Sequence, residues 1–69
     1  MKTFITLITL DGNVAEIEID SENEEAMTEY IKNCMKSNDW ININMYGGSC
    51  EYIGCNITDI HPSKIIAIA

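Results

Sequence analysis

Three cysteines, one histidine and eleven carboxylates are the side chains of this 69-residue chain with a claim to chemistry. Two of the cysteines, Cys50 and Cys55, stand in the stretch GGSCEYIGC at 47–55, after a glycine pair. If 49–57 runs as one strand, their odd separation sends them to opposite faces. At about 3.3 Å per residue they would lie roughly 16 Å apart, whereas disulfide Cα atoms approach within about 7 Å. Zinc requires ligands that converge at about 2.3 Å on one ion, and Cys34 with His61 supplies no second pair. The cysteines are therefore expected to be small hydrophobes of the core, the stretch a hairpin, and the metal complement none.

Other catalytic arrangements fare no better. His61 precedes Pro62 in a connecting segment, so it reads as an exposed turn residue rather than as the base of a cysteine–histidine dyad. The Gly47-Gly48-Ser49 run lacks the helix and lysine that make a phosphate loop work. Carboxylates in a solvated row do not separate their pKa values as acid–base catalysis demands. The expectation is a protein that is not an enzyme and carries no cofactor.

The acids themselves are the feature left. Eight of the eleven fall between Asp11 and Glu29. Glu16, Glu18 and Asp20 repeat every second residue, about 6.6–6.8 Å apart on one strand face. The run continues into Glu22, Glu24 and Glu25. Such a row could engage a basic groove, in the limit by imitating a phosphate backbone; the plainer reading is a solvated strand face followed by a well-capped helix start. Outward-facing Trp40 and Tyr46, with Asn42 and Asn44 between them, add aromatics of the kind enriched in contact sites. The expected partner-binding set is therefore Glu16, Glu18, Asp20, Glu22, Glu25, Trp40 and Tyr46.

Composition bounds the partners. Four lysines, no arginine and a net charge of -7 give no basic footprint for nucleic acid or anionic membranes, and favour a basic protein surface. No apolar run approaches the roughly 20 residues of a membrane span, and Lys2 is followed by a run that threonines interrupt. An odd cysteine count suits a reducing compartment, so a cytoplasmic protein is expected. Seven asparagines, many isoleucines and no arginine suggest an AT-rich genome such as that of a phage or mobile element. The leading functional expectation is a small acidic protein-binding module, an inhibitor that engages a basic surface of its target. The alternative is a homo-oligomer that sequesters a small molecule between subunits.

The elements that must position these residues follow from periodicity. TFITLITL at 3–10 is rich in β-branched residues and apolar on both faces, which predicts a central strand. Asp11-Gly12 predicts a tight hairpin, with a two- or three-residue loop left open. VAEIEID at 14–20 alternates, with Ala15, Ile17 and Ile19 inward. Ser21 and Glu24 form a capping-box pattern for a helix over about 22–36, with Met27, Tyr30, Ile31 and Cys34 on one face. WININMY at 40–46 reads as a strand with Ile41, Ile43 and Met45 inward, turned by Gly47-Gly48 into a return strand over 49–57. KIIAIA closes the chain as a strand, and pairing with a second copy through 64–68 would protect it. The order ββαβββ predicts one α+β domain over 1–69: an antiparallel sheet of four or five strands with one helix on a face.

Overall fold

The computed structural model describes residues 1–69. In chain order it contains β1 (Lys2–Thr9), β2 (Val14–Asp20), a 3-10 turn at Ser21–Asn23, and α1 (Glu24–Ser37). Then come β3 (Ile41–Asn42), a second 3-10 turn at Ile43–Tyr46, β4 (Ser49–Tyr52), β5 (Cys55–Ile57), β6 (Asp59–Ile60) and β7 (Ile65–Ile68). An antiparallel sheet of order β5-β4-β2-β1-β7 carries α1 on one face, and β3 pairs with β6 in a separate ribbon. The α+β class and the single helix on a four- or five-stranded sheet are as the sequence predicts.

The core lies between that face and the helix. β1 buries Ile5, Leu7 and Thr9, β2 buries Ala15, Ile17 and Ile19, and α1 answers with Met27, Ile31 and Cys34. Removing a fully buried aliphatic side chain from such a layer costs about 2–5 kcal/mol. β1 is central, between β2 and β7. Its other face leaves Phe4 57% and Ile8 37% exposed, because one helix covers one side only.

The hairpin between β1 and β2 resolves the open question of loop length. The Thr9 N–H donates to the Asn13 carbonyl at 3.0 Å and the Gly12 N–H to the Thr9 carbonyl at 3.2 Å, leaving Leu10–Gly12 as a three-residue loop. Only Gly12 takes positive φ (+83°); Asp11 does not. The helix start differs from expectation. The Ser21 N–H continues the β1–β2 bonding to the Met1 carbonyl at 2.8 Å, and Ser21 opens the 3-10 turn that follows β2 rather than capping α1. The capping box does not form, and Asn23 at the cap position of α1 makes no side-chain cap bond. The other end closes on Asn38, which is left-handed (φ +59°), while the Asp39 N–H returns to the Cys34 carbonyl at 3.0 Å.

Two segments part from the strand pattern. Of 40–46, only Ile41–Asn42 is extended. The Asn42 side chain accepts from the Asn44 N–H at 3.0 Å, and the Asn42 N–H donates to the Tyr30 hydroxyl at 2.9 Å. These local bonds compete with a ladder and wind 43–46 into a 3-10 turn. Ile41 and Ile43 are buried, but Met45 is exposed rather than inward. Gly47-Gly48 is consequently no hairpin turn: β4 pairs with β2, not with β3. Gly48 passes so close beneath the sheet that a Cβ there would meet Ile17 Cγ2 at 3.0 Å and the Ile43 carbonyl oxygen at 3.2 Å.

The 49–57 stretch is itself a hairpin, β4–β5, turned by Ile53-Gly54, both at positive φ (+51° and +73°). That pairing is the geometry of a two-residue I′ turn, which favours Asn-Gly. A β-branched residue there is strained by about 1–2 kcal/mol. Ile53 is 63% exposed, so little packing offsets the strain. Ile53→Asn should raise stability by about 1 kcal/mol, or a thermal midpoint about 4–8 °C higher for a domain this size. Thermal unfolding followed by circular dichroism checks this; an unchanged or lower midpoint would contradict the turn geometry.

Candidate functional site

The face of the sheet opposite α1 gathers the candidate acids. Alternation along β2 brings Glu16 and Glu18 outward, and the β2–β4 register sets Glu16 directly beside Glu51. The same rung runs from Thr6 through Glu16 and Glu51 to Asn56, and the next places Phe4, Glu18 and Ser49 side by side. All of these but Thr6 line a depression of about 200 Å³. Like charges directly opposite on neighbouring strands work against the sheet. At strand spacings of about 4.7–4.9 Å they also lie inside the roughly 8 Å Debye length of physiological salt, so their fields add.

The expected seven-residue set does not share one surface. Glu16 and Glu18 do. Asp20, at the end of the same row, is paired with Lys2 at 3.1 Å, a largely exposed contact that contributes little to stability but neutralises the row's end. Glu22 stands in the 3-10 turn that leads away from the sheet. Glu25 follows the helical repeat onto the face of α1 opposite Met27 and Ile31, the far side of the molecule from Glu16. Trp40 stands edge-on to His61 (centroids 5.1 Å, 76°), and Tyr46 stands edge-on to Tyr30 (6.2 Å, 71°), in two separate clusters. Glu51 and Phe4, which do join the acidic face, were not among the residues expected. Glu51 alternates outward in its own strand, but its neighbour Glu16 is 35 positions away and only the β2–β4 pairing reveals it.

At the end of the sheet, Asp11 ties the first hairpin to β4. Its carboxylate accepts from the Thr9 hydroxyl, the Asn13 N–H at 3.1 Å and the Tyr52 hydroxyl. The bonds from Thr9 and then Tyr52 hold the Asp11 carboxyl well below the usual carboxylate range, and the same contact pushes the Tyr52 hydroxyl up.

The cysteines divide. The turn at Ile53-Gly54 folds the stretch back, so Cys50 (opposite Ile57) and Cys55 (opposite Tyr52) share one face as diagonal neighbours instead of taking opposite ones. Diagonal Cα atoms lie about 7–8 Å apart, just outside disulfide reach, and all three thiols are free. No three His, Cys, Asp or Glu side chains converge as metal ligands would. Cys34 and Cys50 are buried hydrophobes as expected. Cys55 is exposed, because β5 is an edge strand at the sheet's margin. Burial, and then the nearby Glu16 carboxylate, push the Cys50 thiol up to about 11. With Ellman's reagent at mildly alkaline pH, one thiol per chain should react at once and two only on unfolding, and Cys55→Ser should remove the fast phase. Three equally fast thiols would contradict this core.

No family model matches this chain, and no curated protein and no solved structure is detectably similar to it.

Proposed function

We propose that this protein is a small acidic binding module whose uncovered sheet face receives a basic surface of a protein partner. The observation that carries the reading is the Glu16–Glu51 pair, with Glu18 beside it, directly against exposed Phe4. Three carboxylates held together on neighbouring strands cost stability in the free chain, and a cationic partner would offset that cost. Their field would steer association and set specificity, while Phe4 would give an apolar anchor beside the charges. Asp20 would contribute less because Lys2 already neutralises it, and Glu22 and Glu25 would act only at long range. An inhibitor that occupies a groove made for phosphate is the form of this reading in keeping with the chain's composition.

The test is fluorescence anisotropy of a labelled arginine-rich peptide at low and at physiological salt. Reversing Glu16, Glu18 and Glu51 to lysine should abolish binding. Reversing Glu22, Glu25 and Glu29, an equal change in charge, should leave most of it. Equal losses in both triple variants would reduce the interaction to net charge and sink the proposed face.

A second reading is favoured by the position of β7. This strand lies at the sheet's edge, is almost wholly apolar, and carries Ile66 57% exposed. Such edges are templates for pairing, and residues 64–68 of a second copy would complete them as a two-fold dimer. Sedimentation equilibrium should then give a dimer that Ile66→Lys dissociates; a monomer at every concentration would remove this reading.

A further inference from the structure

A recess of about 170 Å³ opens on the opposite side of the β4–β5 hairpin from the acidic face. Tyr52 and Ile57 reach it because alternation turns them away from Glu51 and Asn56. Ile60, buried in the β3–β6 ribbon, forms its inner wall, and Trp40 stands at its mouth. Most of the surface presented is carbon. Trp40 is 62% exposed, yet its indole is braced edge-on by the His61 ring, so one aromatic face is held in place without being covered.

The polar groups around this apolar recess are mainly donors. The His61 Nδ1 atom accepts from the Ser63 N–H at 3.1 Å; a backbone N–H can only donate, so in the neutral ring the proton sits on Nε2. Nothing in the chain accepts from that Nε2–H, from the Trp40 indole N–H, or from the Lys64 ammonium, since the chain's one ion pair is Lys2 with Asp20. The Tyr52 hydroxyl is spent on Asp11. Asp59 is the single carboxylate on the lining and Lys64 offsets it, while Asp11 lies just beyond Tyr52, so the site is less negative than the face that carries Glu16, Glu18 and Glu51.

We infer that this recess binds a small apolar carboxylate, its hydrocarbon against Trp40, Ile57 and Ile60 and its carboxylate on Lys64 and the His61 Nε2–H. The volume falls below the roughly 300 Å³ at which drug-sized sites begin, which suits a single ring or a short branched chain. An apolar body with one charged end matches a carbon-lined cleft with donors at its rim, and a carboxylate accepts from two donors at once. This site lies within one chain and does not depend on the acidic face or on pairing through β7.

Benzoate is a suitable probe, followed by 1H–15N correlation spectra of the whole chain. Saturable shifts should appear at the Trp40 indole N–H and at the Ile57, Ile60 and Lys64 amides. Lys64→Gln should weaken binding about tenfold, the scale of one charge-assisted hydrogen bond, as should replacing benzoate by uncharged benzyl alcohol. Lys32→Gln, on the helix, and the Glu16, Glu18, Glu51 charge reversal should leave it unweakened. Lys64 is exposed, so its variant should keep the wild-type spectrum outside the recess. Shifts that fail to saturate, that centre on another surface, or that persist equally in Lys64→Gln would overturn the inference.

Discussion

Met27, Ile31 and Cys34 on α1 pack with Ile5, Leu7, Ala15, Ile17 and Ile19 into one buried layer, which Ile41, Ile43 and Ile60 extend, and the chain has only one helix and a short ribbon to cover the sheet. A chain of this size buries only about 60% of the surface its unfolded form exposes, so a second covering layer is not available. Each strand of the main sheet therefore has a face that must survive in contact with water. β2 meets that demand with Glu16 and Glu18, β4 with Ser49 and Glu51. β1 meets it only partly, and Phe4 and Ile8 remain in view. The juxtaposition of acids and an exposed aromatic ring is thus a direct consequence of one-sided packing.

The connections are built from short-range polar contacts that substitute for missing bulk. Asp11 holds its own loop and reaches across to Tyr52, so the first hairpin and β4 are joined at the sheet's end as well as along the ladder. Asn42 and Tyr30 join the helix to the segment that follows it. His61 caps the turn before β7 through the Ser63 N–H. Because the last of these bonds occupies Nδ1, it also decides which nitrogen the ring offers outward. The same economy leaves strain at Ile53, where the turn tolerates a residue poorly suited to its backbone.

Two properties of the surface then separate in space. The acidic face lies on one side of the sheet, and the apolar recess lies on the other, behind the β4–β5 hairpin. Ion pairing contributes little to either, since the single salt bridge is exposed and sits at the strand end. Glu16, Glu18 and Glu51 are left without a cationic partner in the chain, which works against the sheet they stand on.

Local pattern alone determined much of this protein. The alternation of VAEIEID, the helical spacing of Met27, Ile31 and Cys34, and the β-branched opening strand each follow from side-chain periodicities of two or 3.6 residues. From these come the α+β class, the inward set of β2, and the outward direction of Glu16 and Glu18. The tertiary structure alone decided which strands are neighbours. Pairing β4 with β2 sets Glu51 beside Glu16, and no property of either segment by itself specifies that partner. It also decided where alternation is overridden: Asn42 and Asn44 satisfy backbone groups locally and end a strand that hydrophobicity predicts should continue. Ile53 sits in a turn that its own side chain disfavours, because the ladder on both sides of it outweighs a strain of about 1–2 kcal/mol. That fold-back places Cys50 and Cys55 on one face, and it carries Tyr52 and Ile57 to the recess under Trp40. Periodicity acts over a few residues and is written in the chain; strand order depends on the balance of many distant contacts, and only the folded molecule settles it.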